Sequence, residues 1–494
     1  MMNKLKQKNM IMPLVIILVS LILRIVTIGH NDLLVEEAYY WNYAVHLDMG
    51  YLDHPPMVAF LIKLSTLLFG TTEWGVRFPS ILCWLLTAFF SVKLTEKIQP
   101  KAGVYAVMLL AILPFFFIHS LVITPDLPLM ACWAATLYFL FKALVLEEPK
   151  AWFIAVLWLG LGLLSKYSIV LLGLATFIYM VLRQEARPWF TRKEPYLAAG
   201  ITLLCFSPVI YWNATHAWVS FLFQSTRRFQ ETSSFTLHEF VGLLILFLTP
   251  LGVLSCLNLL KKQTSSDKKN VVFFRVFAFV PLMFFAFFSV RHPIKFNWIG
   301  PSLLALIPWI AVHLQRSHQK LRDAWLITGI VLLACYIGLI VCISLGKPEK
   351  LNRLLFNKYI AWQALTQDMN DIAQRTGNKT CFVALDRYNI ASELTFYQEK
   401  LLSDKKITQR FEVIGSDIFG GESLMFRYWS KNTTCMEKTL ILISNQIYDF
   451  ENPTLKKETQ VIIKPTLIYS KSQGAGNTLK PYYYEVVRLK THRE

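Results

Sequence analysis

Apolar runs of roughly 20 residues, separated by short polar stretches, recur along the first 346 positions, and that length crosses the hydrocarbon core of a bilayer. The pattern predicts eleven spans: 11–29, 76–96, 102–119, 126–146, 151–164, 167–183, 195–212, 238–260, 271–290, 296–314 and 324–346. The first follows a basic segment, MMNKLKQKNM. It is longer than the ~7–15 residue core of a signal peptide, and no small-x-small cleavage site follows it. It therefore reads as a retained span. The pair 151–164 and 167–183 is separated only by SKY, and reading it as one tilted helix would reverse the sidedness of everything downstream.

Beyond Lys347 the pattern changes. Short strand-like runs, CFVAL (381–385), LILIS (440–444), QVIIK (460–464) and YYYEVVRLK (482–490), flank a segment of helical spacing, Asn389 to Tyr397. This predicts a polytopic membrane domain, 1–346, followed by a soluble α/β domain, 347–494, of ordinary domain size.

Charge decides which side each loop faces. With the N-terminus in the cytoplasm, the cytoplasmic connections are 1–10, 97–101, 147–150, 184–194, 261–270 and 315–323, which carry Arg187, Arg192, Lys193, Lys261, Lys262, Lys268, Lys269, Arg316, Lys320 and Arg322. The opposite loops hold few basic residues, so the positive-inside rule favours this orientation and sends the tail outside. It also favours the hairpin reading of 151–183. Hydrophobic residues make up 54% and charged ones 17%, against ~25% charged in soluble domains. The net charge of +18 belongs largely to these loops, and no nucleic-acid module accompanies it. Six cysteines lie in apolar spans, leaving Cys381 and Cys435 in the tail. In an oxidising compartment they could pair; two separate thiols are the alternative.

The ionisable groups do not collect at mid-membrane, where an ion-coupled transporter would need them. Glu36, Glu37, Asp48, Asp53, His54, Arg77, Asp126, Lys166, Arg291, His292 and Lys295 all fall on the exoplasmic side of this topology. In VEEAYYWNYAVHLDMGYLDHPP (35–56) a helix would put Glu36, Tyr39, Tyr40, Tyr43 and Leu47 on one face. Tyrosine and tryptophan favour the lipid–water boundary, so this helix is expected along the membrane surface. A second such helix would open at Pro55–Pro56. Asp126, between Pro125 and Pro128, either caps the next helix or contributes to a site. Exoplasmic carboxylates beside cations suit glycosyl transfer from a polyprenyl phosphate. A carboxylate takes the acceptor's proton and cations stabilise the departing phosphate.

The segments EEAYYW, LDHPPM, RFPS, TPDLPL, LLSKYS, WNATHAWVSFLFQ, KFNW and SELTFYQ together resemble bacterial protein-O-mannosyltransferase-like glycosyltransferases. That GT-C superfamily branch includes the lipid A aminoarabinose transferases. The segments occur in the family's order over about 30–400. The resemblance implies a mainly α, GT-C-type helical bundle in the cell inner membrane, with exoplasmic juxtamembrane helices and a small periplasmic α/β domain. It implies a polyprenyl (undecaprenyl) phosphate sugar donor and an exoplasmic acceptor such as lipid A, lipopolysaccharide or another envelope glycan. Protein O-glycosylation and transport of a polyprenyl-linked sugar are the competing readings.

Carried over by position, the family's acidic pair falls on Glu36 and Glu37, with Glu36 where the family usually has Asp, and its second-loop acid falls on Asp126. His54 stands where aminoarabinose transferases carry Lys, which argues for a neighbouring subfamily with another sugar or acceptor. Arg77 and Lys166 are expected phosphate partners alongside His54. Arg227, Arg228 and Lys295 are weaker candidates for an acceptor or headgroup. His46, His216 and His292 show no metal-ligand spacing and no zinc site is inferred; no cofactor is implied, and a divalent cation at the acids is left open.

Overall fold

The computed structural model describes residues 2–226, 234–260, 268–345, 361–377, 379–430, 435, 438–471 and 479–490. Each of the eleven expected spans is helical. Seven described helices are long and apolar enough to cross a membrane, or eight if Tyr167–Leu182 and Gln184–Thr191, bent by 113°, form one span. The remaining three coincide with the shorter apolar helices Ile11–Thr27, Gly103–Ile112 and Lys150–Leu163. Local chemistry explains two of the differences. The run 102–119 breaks at Leu113, which is extended (φ −63°, ψ 133°) before Pro114, because proline crowds a helical residue ahead of it. Lys150–Leu163 has 14 residues, about 21 Å at 1.5 Å per residue. The stretch 151–183 is two helices, with the break at 164–169.

The chain divides into two compact units. One comprises Met1–Val26, Asp53–Val58 and Phe78–Ile337. Within it Arg24, fully buried, donates from Nε to the Ser120 hydroxyl at 2.6 Å and from Nη1 to the Ser20 carbonyl at 3.0 Å. Its guanidinium lies over the rings of Trp84 and Phe117, so this charge inside the first span is held by packing.

The other unit comprises Thr27–Leu52, Ala59–Arg77 and Gly338–Glu494. The change of composition near 346 therefore does not bound it, because the first loop joins the tail. Its sheet has five strands: β1 (Thr380–Ala384), β2 (Glu412–Ile414), β3 (Thr439–Ser444), β4 (Thr459–Lys471) and β5 (Leu479–Leu489). Their order is β2-β1-β3-β5-β4. β1 is parallel to β2 and β3, while β5 is antiparallel to β3 and β4. The four strand-like runs are all present, and β2 is the one the hydrophobic pattern missed. Three residues, two of them half-buried, carry too little alternation to detect. Cys381 and Cys435 form a disulfide, with Cα atoms 6.0 Å apart, inside a core with Val383, Ile414, Phe419 and Leu440.

The helix Val35–Val45 packs against Asn389–Ser403. Tyr39, Tyr40, Trp41 and Tyr43 are all buried: Tyr39 lies 4.7 Å from the Tyr388 ring, and Trp41 meets Phe396 at 5.2 Å. The expectation of a helix laid on the bilayer by its tyrosines is thereby corrected. Those rings fill an interior formed with the tail, and only Glu36 of that expected face is exposed within the helix. The second expected helix, Met57–Phe69, does turn Phe60, Leu64, Leu67 and Leu68 outward, the apolar stripe of an interfacial helix.

Candidate active site

Asp126 is the first residue of the helix Asp126–Leu144 and is buried. Lys166, in the break that follows Lys150–Leu163, donates from Nζ to Asp126 Oδ1 at 2.7 Å. Asn297, in the short helix Phe296–Ile299, donates from Nδ2 to Asp126 Oδ2 at 2.7 Å. Three segments distant in sequence thus converge on one carboxylate. Each carboxylate oxygen carries two lone pairs, so Asp126 can still accept from a ligand. Lysine has three N–H donors, and among the described residues Lys166 uses one, on Asp126. The position of Asp126 at a helix start is thus no simple cap: its side chain holds a cation and an amide.

His54 belongs to the same unit and is half-buried. Loss of water around the ring pushes its imidazole down to about 4; Asp53 and Asp126 pull it up, and Lys166 and Lys295 push it further down. The ring is therefore neutral near pH 7. It stands in the field of Asp126 and Lys166 as a neutral hydrogen-bonding group. Lys295 is exposed and feels the same site electrostatically. Arg227 and Arg228 lie outside the described residues.

Glu36 and Glu37, adjacent in sequence, part company. Glu36 is exposed and Glu37 fully buried. Glu37 accepts the Leu34 N–H at 2.9 Å, capping its own helix, and pairs with Arg77 at 2.7 Å. Arginine has five N–H donors, and Arg77 spends all of them. Nε and one Nη2 hydrogen go to Glu37. The other Nη2 hydrogen goes to the Asp32 carbonyl at 2.8 Å. Nη1 serves the carbonyls of Ile28 and Asn31, each at 2.9 Å. Arg77, expected to meet a phosphate, and Glu37, expected to do chemistry, are instead each other's partners in folding the first loop.

Asn297 was not singled out from the sequence. KFNW entered only as one segment of the resemblance, and the fold brings its asparagine to Asp126. The motif SELTFYQ likewise proves to be the seat of the first loop. Ser392 O accepts from Asn42 at 3.3 Å and Tyr397 Oη from the Leu33 N–H at 2.9 Å. Lys400 pairs with Glu73. The one group of three close His, Cys, Asp or Glu side chains among the described residues is Cys381, Glu412 and Cys435, and its two cysteines are bonded to each other. The acids Glu36, Glu37 and Asp126 do not meet in it.

Three comparisons bear on what this architecture is. The family model described as dolichyl-phosphate-mannose-protein mannosyltransferase matches residues 53–212, the segment that carries His54, Arg77, Asp126 and Lys166. The fold is that of ArnT from Cupriavidus metallidurans, a GT-C-type membrane bundle. Against its apo structure the TM-score is 0.66 at 15% identity, covering 96% of this chain and 97% of that one. Against the same protein bound to undecaprenyl phosphate it is 0.64, again at 15% identity and with the same coverage. The lipid A galacturonosyltransferase RgtD of Rhizobium johnstonii is 25% identical over 207 residues. That match covers 41% of this chain and 43% of the relative, so it spans less than half of each. Together the comparisons bear out the resemblance to protein-O-mannosyltransferase-like and aminoarabinose-transferase-like glycosyltransferases of the GT-C superfamily. The chain is a multi-span membrane protein.

Proposed function

We propose that this protein is an integral-membrane glycosyltransferase of the cell inner membrane. It moves a hexosyl or pentosyl unit from a polyprenyl phosphate, of the undecaprenyl type, to an exoplasmic acceptor: lipid A, lipopolysaccharide or a related envelope glycan. The observation that carries the reading is the buried Asp126 carboxylate held between Lys166 and Asn297, in a chain with the fold of a protein that binds undecaprenyl phosphate. The lipid A relative supports the acceptor class. The proposed orientation keeps the N-terminus cytoplasmic and the sheet-bearing tail periplasmic, as the loop charges favour.

In the proposed step the acceptor hydroxyl loses its proton to a carboxylate as its oxygen attacks the anomeric carbon. The bond from that carbon to the phosphate oxygen breaks, and its electron pair leaves with the polyprenyl phosphate. Lys166 supplies positive charge where the phosphate gains negative charge, and His54 a neutral donor beside it. Two carboxylates remain candidates for the base: Asp126 and the exposed Glu36. Glu37 drops out, since Arg77 and the Leu34 N–H occupy it.

The test is transfer by purified protein in lipid nanodiscs, with radiolabelled polyprenyl-phosphate sugar and lipid A. Asp126→Asn is expected to cut turnover by about 10³-fold, within the usual range for a general base, at unchanged protein yield. Wild-type turnover in that variant would sink the assignment. Full activity in Glu36→Gln would leave Asp126 as the base.

A further inference from the structure

The sheet-bearing unit contains a cavity of about 200 Å³ that the transfer step does not use, lined among others by Leu385, Ser416, Gly421, Tyr448, Asp449 and Asn452. Leu385 follows β1, Ser416 follows β2, and Tyr448 and Asp449 follow β3. The cavity therefore sits at the carboxyl ends of the three parallel strands. The chain leaves β1 for β2 on one side and returns to β3 on the other. Ligands of open parallel sheets bind in the crevice at such a reversal of strand order.

The wall is pre-shaped. A Cβ on Gly421 would collide with the Ser416 side chain, and Gly420 has φ +79°, which only glycine adopts without strain. Ser416 in turn donates to the Glu422 carbonyl at 3.2 Å. The polar groups have spare capacity of a definite kind. Asp449 Oδ2 receives the Ser444 hydroxyl, which leaves Oδ1 as an acceptor. Asn452 Oδ1 caps the helix Pro453–Glu458 through the N–H groups of Thr454, at 2.9 Å, and Leu455, at 3.3 Å. Its amide N–H₂, two donors, has no acceptor among the described residues. Tyr448 is 63% exposed at the rim.

An acceptor, a double donor and an aromatic face make a recognition set for a pyranose: two neighbouring hydroxyls and one C–H face. Size agrees, because about 200 Å³ is roughly the space of six or seven waters at ~30 Å³ each, which suits one ring. Sign agrees as well. No cation lines the cavity among the described residues, and Asp386 stands behind it, pushed up to about 6 by burial with Asp449 adding to the shift. An anionic sugar or a phosphate would meet carboxylates there.

We propose that this cavity binds one neutral sugar ring, stacked on Tyr448 and hydrogen-bonded by Asp449 and Asn452. Resting on the transferase reading, the ring belongs to the acceptor glycan, at a residue other than the one glycosylated.

The test uses full-length protein in nanodiscs and saturation-transfer NMR with methyl glucoside and methyl galactoside, with glucuronate as the anionic control. At least one neutral glycoside is expected to bind, and glucuronate at least tenfold more weakly. Tyr448→Ala should weaken neutral binding about tenfold, and Tyr448→Phe should restore it. No saturation by either neutral glycoside, equal binding in Tyr448→Ala, or equal binding of glucuronate would each overturn the proposal. Because binding is read without turnover, the two readings fail separately. Sugar binding in a protein that transfers nothing would remove only the transferase, whereas transfer without sugar binding would remove only this site.

Discussion

Among the described residues, Glu37–Arg77 and Asp126–Lys166 are two pairs with a buried carboxylate and the same separation, 2.7 Å, and on the proposed reading they serve opposite ends. Arg77 gives its five N–H groups to Glu37 and to the carbonyls of Ile28, Asn31 and Asp32. Lys166 gives one of three to Asp126. The first pair closes a loop of backbone and has nothing left to offer. The second is polarised and under-used, with donors in hand and a partner that a second segment, through Asn297, keeps in place. Charge and distance do not separate them; the exposure of the cation and the count of its uncommitted donors do. On the proposed reading, that spare capacity is what suits the second pair to a phosphate.

The sharpest way to break the comparison is at Arg77. Arg77→Ala would strand the Glu37 carboxylate in the interior, a loss of about 3–5 kcal/mol, comparable with the whole stability of many domains. We expect little folded protein by fluorescence-detected size exclusion in detergent. Arg77→Lys should rescue poorly, since an ammonium cannot reproduce the planar fork. The double variant Arg77→Met with Glu37→Met should yield more protein than Arg77→Ala alone, as replacing both partners removes the stranded charge. Ample, monodisperse Arg77→Ala protein that merely fails to bind donor would return Arg77 to the phosphate site.

How far the sequence reached follows the same line. Every apolar run that periodicity and length picked out is helical, because a helix in lipid must satisfy its backbone internally and so writes a long apolar run. Four of five strands were legible, and the carboxylates and cations were named by residue type and order. Their pairing was not legible. Glu36 and Glu37 look equivalent as letters, and only the packing of Val35–Val45 against Asn389–Ser403 sends one inward and the other out. Asn297 needed 171 residues of intervening fold to reach Asp126. The tyrosines of EEAYYW carried a true signal of amphipathic burial, but the surface they meet is the protein's own tail. Residue type constrains where a side chain is stable; which neighbour makes it so is a tertiary fact.

The next effect in size falls on Lys166. Lys166→Gln keeps a donor for Asp126 and removes the charge. We expect donor affinity to fall about 10–30-fold, some 1.4–2 kcal/mol, with a much smaller loss of folded protein than in Arg77→Ala. Isothermal titration with an undecaprenyl-phosphate sugar in nanodiscs measures the first, and size exclusion the second. An unchanged affinity would make the Asp126–Lys166 pair another structural clamp and erase the distinction between the two.

The smallest effect is the most diagnostic of what surrounds the second pair. His54 has an ordinary imidazole value near 6.5 when unfolded and is pushed down to about 4 in the folded protein, chiefly by burial. Between these values the unfolded chain binds a proton that the folded one refuses. Stability therefore falls as pH drops through that window and is fully retained above about 6.5. Across roughly pH 6–8 the ring stays neutral, unlike an unperturbed histidine, and a phosphodiester donor does not titrate there. Wild-type donor affinity should accordingly be flat over that range. His54→Lys adds a charge that Lys166 and Lys295 oppose and Asp53 and Asp126 favour, so the gain should be only a few-fold and equally flat. A wild-type affinity that climbs tenfold from pH 8 to 6 would mean that the bound phosphate anion stabilises the imidazolium, so that His54 takes up a proton from solvent as the donor binds. The ring would then be cationic beside the bound phosphate, and Lys166 would share that phosphate with a second cation.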